Sequence, residues 1–152
     1  MKDKKDKVII YTDGAARGNP GPAGWGVVFL VDGKSMELGG HSDHATNNQM
    51  ELTAPIEALK FYLRQELKGE VEIFSDSKYV ILGITEWITN WMANNWRNAA
   101  KKPVVNRELW EELHKLNQQV NPKWSYVAGH SGDTHNERAD IIATSYADGV
   151  PV

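Results

Sequence analysis

The chain has 152 residues, 24% charged and 41% hydrophobic, with a formal net charge of −3 and no cysteine. That size and balance suit a single domain, residues 1–152, with a substantial core, and they exclude disulfides, thiolate zinc sites and cysteine nucleophiles. No apolar run approaches the roughly 20 residues of a membrane span, and Met1–Lys7 lacks the apolar stretch of a signal peptide, so a cytoplasmic location is expected.

Lys7–Thr12 reads as a first strand, an apolar run that stops on Asp13. Gly18-Asn19-Pro20-Gly21-Pro22 is a loop, rich in turn residues. Gly24–Val31 and Lys34–Gly40 are predicted strands joined at Asp32-Gly33, a strong hairpin signal. Leu52, Ile56, Leu59 and Leu63 recur at helical spacing, which predicts a helix from Asn47 to about Leu67. Glu70–Ser75 is a fourth strand, running into Asp76. Ser77 is the predicted cap of a short helix to about Leu82, and a second short helix from near Thr85 carries Trp87 and Trp91. Asn106 is the expected cap of a helix with Leu109, Leu113, Leu116 and Val120 on one face. Lys123–Ala128 reads as the last strand and Asn136–Ala147 as the last helix, with Ala139, Ile142, Ala143 and Tyr146 inward.

This order implies an α/β fold with a five-stranded mixed sheet flanked by helices. Three strands on short links should run antiparallel, and the two reached through helices should lie parallel to the first by right-handed crossovers. If strands one and four are neighbours, Asp13 and Asp76 emerge at one carboxyl edge, where open α/β sheets bind ligands.

Two more acids join that edge on this reading. Glu51 lies near the start of the first long helix and Asp140 near the start of the last, each flanking an apolar stripe. Taken singly, an Asp in a Thr-Asp-Gly turn is usually a turn residue, and a helix-face acid is usually solvated. Taken together, four carboxylates in one place need compensating charge, which two divalent cations supply. All-oxygen ligands favour Mg²⁺ or Mn²⁺. A pair of such ions suits phosphodiester hydrolysis. The net charge also hides a basic strip. From Trp87 to Arg107 there are Arg97, Lys101, Lys102 and Arg107 with no acid, a +4 window that leaves −7 elsewhere. Local charge of this kind is what meets phosphates.

Four segments then become recognisable as a set. They are Tyr-Thr-Asp-Gly-Ala-Ala-Arg-Gly-Asn-Pro-Gly-Pro-Ala-Gly at 11–24, Thr-Asn-Asn-Gln-Met-Glu-Leu at 46–52, Ser-Asp-Ser-Lys-Tyr-Val at 75–80, and Gly-His-Ser-Gly-Asp-Thr-His-Asn-Glu-Arg-Ala-Asp at 129–140. In this order they resemble bacterial ribonuclease H type 1 across most of the chain. The resemblance implies the ribonuclease H-like fold and cleavage of the RNA strand of RNA–DNA hybrids, leaving 3′-hydroxyl and 5′-phosphate ends. It implies two Mg²⁺ ions per site with substrate, Mn²⁺ being a substitute, in a monomer with no membrane and no obligate protein partner.

By motif, Asp13, Glu51, Asp76 and Asp140 match the family's metal-binding acids. His130 matches its catalytic histidine, which assists proton transfer or product release, and an ordinary imidazole titrates near pH ~6.5. His41, His44, His114 and His135 are read as bystanders. Asn19, Asn47 and Asn48 match positions along the RNA strand, where ribose 2′-hydroxyls need donors and acceptors. Turn and cap chemistry is their plainer reading. Thr46 and Asn106 match a phosphate pocket for the DNA strand. Trp87 and Trp91 match an aromatic channel for it, with core packing as the alternative. Trp96–Lys102 resembles a basic protrusion.

Three features depart from that pattern. Met92-Ala93-Asn94-Asn95 stands where relatives carry several cations, and His44 and Gln49 where arginine is frequent. Fewer phosphate contacts mean weaker hybrid binding and a shallower salt dependence. Pro55 cannot donate to the Glu51 carbonyl, so a kink or loosened turn is expected at that acid.

Other classes fit less well. Junction resolvases and transposase or integrase cores share the carboxylate-on-sheet plan without the Asn19 and Asn47–Asn48 loops. A non-catalytic hybrid-binding module would not need four acids. A nucleotide-binding protein would need a Gly-Lys-Ser/Thr or Gly-x-Gly-x-x-Gly loop, and a zinc hydrolase a His-Glu-x-x-His. None is present.

Overall fold

Alternation along the first strand sorts the molecule into layers. Val8 and Ile10 point to one face of the sheet, Ile9 and Tyr11 to the other, as a period of two requires. A computed structural model describes residues 7–129 and 132–152. The elements are β1 (Lys7–Ala16), β2 (Gly21–Val31), β3 (Lys34–Ala45), α1 (Asn47–Arg64), β4 (Glu70–Ser75), α2 (Lys78–Leu82), α3 (Ile88–Ala93), α4 (Arg107–Val120), β5 (Lys123–Tyr126) and α5 (Thr134–Ala147). The strand order is β3-β2-β1-β4-β5. β1–β2 and β2–β3 are antiparallel, and β1–β4 and β4–β5 are parallel, as expected.

The larger core lies between the sheet and α1 with α4. Val8, Ile10, Phe29, Leu52, Ile56, Leu59, Ile73, Trp110 and Leu113 are buried there. A smaller one, with Tyr11, Val28, Ala139 and Ile142, seats α5 on the opposite face. Burying one such side chain is worth about 1.5–3 kcal/mol.

Several boundaries differ from the sequence reading, each for a local reason. β1 does not stop at Asp13: the hairpin with β2 continues, pairing Asp13 with Gly26. It is the parallel ladder to β4 that ends there, at Thr12–Ser75. Asp13 therefore sits where β1 loses one neighbour and keeps the other. β3 likewise runs on to Ala45 instead of stopping at Gly40, whereas α1 and β5 stop earlier, at Arg64 and Tyr126. The two short helices are one rod, because a π-helical turn over Gly83–Trp87 joins α2 to α3. A Cβ on Gly83 would fall 2.0 Å from the Trp110 ring, so the rod passes hard against α4.

Asn106 does not cap α4 with its side chain. It is left-handed (φ 64°) with its amide turned away to Tyr79 and Gln49. α5 begins two residues earlier than expected, because the Asp133 carboxylate accepts from the His135 and Asn136 amides. α1 continues as α-helix from Asn47 to Arg64 with Pro55 inside it, and Pro55 has no N–H to donate to the Glu51 carbonyl.

Candidate active site

Three elements deliver a carboxylate each to one point. Asp13 comes from β1, Asp76 from the residue after β4, and Glu51 from the first turns of α1. One oxygen from each lies within 4.8 Å of the others. The parallel register of β1 and β4 fixes the first two. The third depends on how α1 starts. Thr46 Oγ1 accepts from the Gln49 amide (3.1 Å) and Gln49 Oε1 from the Thr46 amide (2.9 Å), a reciprocal cap worth about 1 kcal/mol. Gly14 then lets the helix close on the strand. A Cβ there would sit 2.4 Å from the Glu51 nitrogen and 2.4 Å from the Met50 carbonyl carbon.

Asp140 approaches from α5 on the other side. Gly26, opposite Asp13, permits this, since a Cβ there would be 2.5 Å from the Ala139 oxygen. Asp140 stands outside the tightest group of three, but close enough to hydrogen-bond Asp13 and to repel both Asp13 and Glu51. The loop after β5 reaches the site at Gly129, whose Cβ position lies 2.9 Å from Asp76 Oδ2. His130, the next residue and the expected catalytic histidine, lies outside the described residues.

The charge on this cluster is not balanced from within. Asp13 is only 4% exposed. Burial, then Glu51, Asp76 and Asp140, push its carboxyl up to about 10. Burial and Asp76 likewise push Glu51 well above the usual carboxylate range, against a smaller opposite pull from Asp13 and the Gly14 amide. Two carboxylates at such spacing repel by roughly 3 kcal/mol at an effective dielectric constant of 20. The Gly14 amide satisfies Asp13 Oδ1 (2.9 Å). Glu51 Oε1, by contrast, is buried with no hydrogen-bond partner. An orphaned buried carboxylate oxygen costs free energy. A hard divalent cation bound by Asp13, Glu51 and Asp76 would remove both penalties, so the residues fit such an ion.

A family model described as RNase H matches residues 5–148. The chain belongs to the ribonuclease H family. It is 51% identical over 144 residues to the Ribonuclease H of Thermosynechococcus vestitus, covering 94% of this chain and 90% of that one. It is 50% identical to the Ribonuclease H of Ehrlichia canis, covering 95% and 97%. Among solved structures, LC9-RNase H1, described as a type 1 RNase H with the type 2 active-site motif, aligns with a TM-score of 0.84 at 26% identity, covering 99% of this chain and 76% of that one. LC11-RNase H1 in complex with RNA/DNA hybrid aligns with a TM-score of 0.71 at 28% identity, covering 93% and 97%.

In this ribonuclease H fold, the residues read as substrate contacts fall into three groups. Asn19 Oδ1 accepts from the Asn47 amide (2.8 Å), tying the β1–β2 loop to the start of α1, with Asn48 alongside. Thr46 and Asn106 are linked through Gln49, whose Nε2 reaches Asn106 Oδ1 at 3.4 Å. Gln49, read from the sequence only as a missing arginine, and Tyr79, read only as part of the 75–80 motif, both hydrogen-bond the Asn106 side chain. The Tyr79 hydroxyl accepts from Asn106 Nδ2 (3.2 Å) and Trp110 Nε1 (3.1 Å), fixing the pocket to the core. A Thr followed by Gln three residues on is the capping-box signature, so Gln49 was findable.

The tryptophans divide between packing and exposure. Trp91 packs on Trp110 (5.2 Å between centroids) and Trp96 (6.3 Å). Trp87, tilted on Trp91 at 5.9 Å, keeps 37% of its surface exposed. With Asn90, Asn94, Arg97 and Asn98 they line a groove of about 390 Å³.

Proposed function

We propose that this chain is an endoribonuclease that hydrolyses the RNA strand of RNA–DNA hybrids with two Mg²⁺ ions (Mn²⁺ as substitute), leaving 3′-hydroxyl and 5′-phosphate ends. One observation carries the reading: three carboxylates converge within 4.8 Å around a buried, unpartnered Glu51 oxygen, on the fold of the ribonuclease H family. Asp13, Glu51 and Asp76 are the residues that would hold the ions, and Asp140 would complete the set. The ions, when bound, supply activation of a water and stabilisation of the leaving oxygen.

The protein's own residues do the rest. Asn19, Asn47 and Asn48 give amide donors and acceptors suited to ribose 2′-hydroxyls, which mark RNA. Thr46 and Asn106, held by Gln49, receive a DNA-strand phosphate, and Trp87 and Trp91 offer ring faces to its sugars and bases. His130 assists proton transfer or product release. The domain works as a monomer in the cytoplasm, without an obligate protein partner.

The test is turnover of labelled hybrid, duplex RNA and duplex DNA by native protein and Asp76→Asn, with and without Mg²⁺. The reading predicts cleavage of hybrid only, by native protein only, with Mg²⁺ only, and 5′-phosphate on the products. Cleavage of duplex DNA, or of hybrid in chelator, would overturn it.

A further inference from the structure

α5 carries Asp140 but is seated on the sheet largely by small residues. Ala139, Ala143 and Ala147 are buried over Gly24 and Gly26 of β2, where a Cβ on either glycine would press on the α5 backbone. Such a contact sets the height of the helix above the sheet. It offers few ridges and grooves to resist sliding along the helix axis. Asp140 stands outside the tight group of three acids, so its reach toward them depends on that axial position.

Polar ties hold the helix at both ends. Toward its start, Arg138 forks onto Glu37 of β3, with Nε to Oε2 at 2.7 Å and Nη2 to Oε1 at 2.8 Å. At its end, His41 Nδ1 meets the Tyr146 carbonyl at 2.7 Å from the β3 side. Arg17, the residue after β1, forks onto Asp148, the residue after α5, with Nε to Oδ1 at 2.6 Å and Nη2 to Oδ2 at 2.9 Å. The Asp148 amide donates to the Thr144 carbonyl (2.9 Å), and Thr144 Oγ1 to the Asp140 carbonyl (3.0 Å). About two helical turns thus join the ion pair to the acid. Asp148 and, more weakly, Asp140 hold the Arg17 guanidinium pKa up, so the cation lies within electrostatic reach of that acid.

The loop that carries Arg17 does not need its side chain. The Arg17 amide donates to the Pro22 carbonyl (2.7 Å), a Cβ on Gly21 would collide with the Arg17 carbonyl, and Asn19 holds the Asn47 amide. Nor does the fold need the pair, because both side chains are about half exposed and such pairs add little stability. A two-pronged pair does fix geometry more closely than a single contact. We propose that Arg17, through its forked pair with Asp148, is a positioning residue that sets how far α5 brings Asp140 toward the three-acid group. This rests on the ribonuclease reading above, in which Asp140 completes the ion-binding set.

The test compares native protein, Arg17→Gln, Asp148→Ala, Asp140→Ala and the double variant Arg17→Gln/Asp140→Ala. Each is followed in hybrid cleavage and in a Mg²⁺ titration of Tm, which needs no turnover. Arg17→Gln and Asp148→Ala should each lower kcat about three- to tenfold and raise the Mg²⁺ midpoint by a similar factor. KM for hybrid should stay within about twofold of native. The metal-free Tm should stay within about 3 °C of native, which separates positioning from a loss of stability. In the Asp140→Ala background, Arg17→Gln should leave the midpoint unmoved, because its effect runs through Asp140. Native kcat and midpoint in Arg17→Gln overturn the proposal, as does a midpoint shift that adds in full to that of Asp140→Ala. Native behaviour of Asp148→Ala also overturns it, since Arg17 would then act by charge alone. A raised KM with native kcat overturns it in favour of direct contact with hybrid. Absence of turnover by native protein defeats the ribonuclease reading instead, and the Mg²⁺ midpoints still decide the positioning role.

Discussion

The carboxyl edge of the sheet and the segment from Trp87 to Arg107 treat polar groups in opposite ways. At the edge, demand is left unmet: three carboxyl groups converge within 4.8 Å, and Glu51 Oε1 has no partner. In the segment, polar groups answer one another. Asn98 Oδ1 accepts from the Ala100 and Lys102 amides, and Arg97 donates to the Lys101 carbonyl. Arg107 stacks on Trp96 at 5.2 Å and pairs with Glu111 at 3.2 Å. Two of the four cations that make the segment basic are thus occupied at home. Unmet buried demand marks where a tightly held ion adds stability, and satisfied surface chemistry marks where a large partner is met by area and residual charge.

The contrast breaks most visibly under substitution of the acids. Asp13→Asn or Asp76→Asn should lower kcat on hybrid by at least ~10³-fold, about 4 kcal/mol of barrier, while hybrid affinity changes less than about tenfold. A drop of comparable size in both would mean that the edge is merely a binding surface. Next comes Gly14→Ala, which forces a methyl group into the backbone of α1 beside Glu51. It should destabilise the fold by about 3 kcal/mol in urea unfolding and abolish activity. Native-like stability would show that α1 does not press on β1 as described.

Removing charge from the edge should have the reverse effect on stability. Glu51→Gln should stabilise the metal-free protein at pH 8 by about 1–2 kcal/mol while abolishing turnover, because an unneutralised buried carboxylate is relieved. The pH dependence has the same origin. Asp13 and Glu51 have folded values raised above their ordinary ones of 3.8 and 4.5. Their contribution is therefore fully present below about pH 4 and is lost as pH rises toward about 10, the Asp13 value. Chemical denaturation of metal-free protein across pH 4–9 reads this directly.

The Trp87–Arg107 segment should respond more gently. Asn94→Lys, at the C-terminal end of α3, should steepen the slope of log affinity against log salt by about 0.8 without changing kcat. The unaltered protein should show a shallower slope than a strongly basic relative. Smallest is Pro55→Ala. If Pro55 helps aim Glu51, it should shift the Mg²⁺ midpoint by a few-fold, and an unchanged midpoint removes that role.

The sequence reading reached the sheet and its partners because periodicity and link length determine them. Strand directions and the approach of Asp13 to Asp76 follow from Val8–Ile10, Val71–Phe74 and the helices between. It missed what depends on contacts between distant elements. The extension of β1 past Asp13 is set by pairing with Gly26, and the fusion of α2 with α3 by contact of Gly83 with Trp110. The left-handed turn at Asn106 is set by Tyr79 and Gln49. The motifs named the acids, but only coordinates separate the tight group of three from Asp140, which stands one step outside.

Thermal unfolding with and without Mg²⁺, at pH 8 and again at pH 4, interrogates the buried acids most directly. Mg²⁺ should raise Tm at pH 8, raise it little at pH 4 where the carboxyls are protonated, and raise it little in Glu51→Gln at either pH. An equal Mg²⁺ effect at both pH values, or one undiminished in Glu51→Gln, would contradict a cluster whose buried charge divalent ions neutralise.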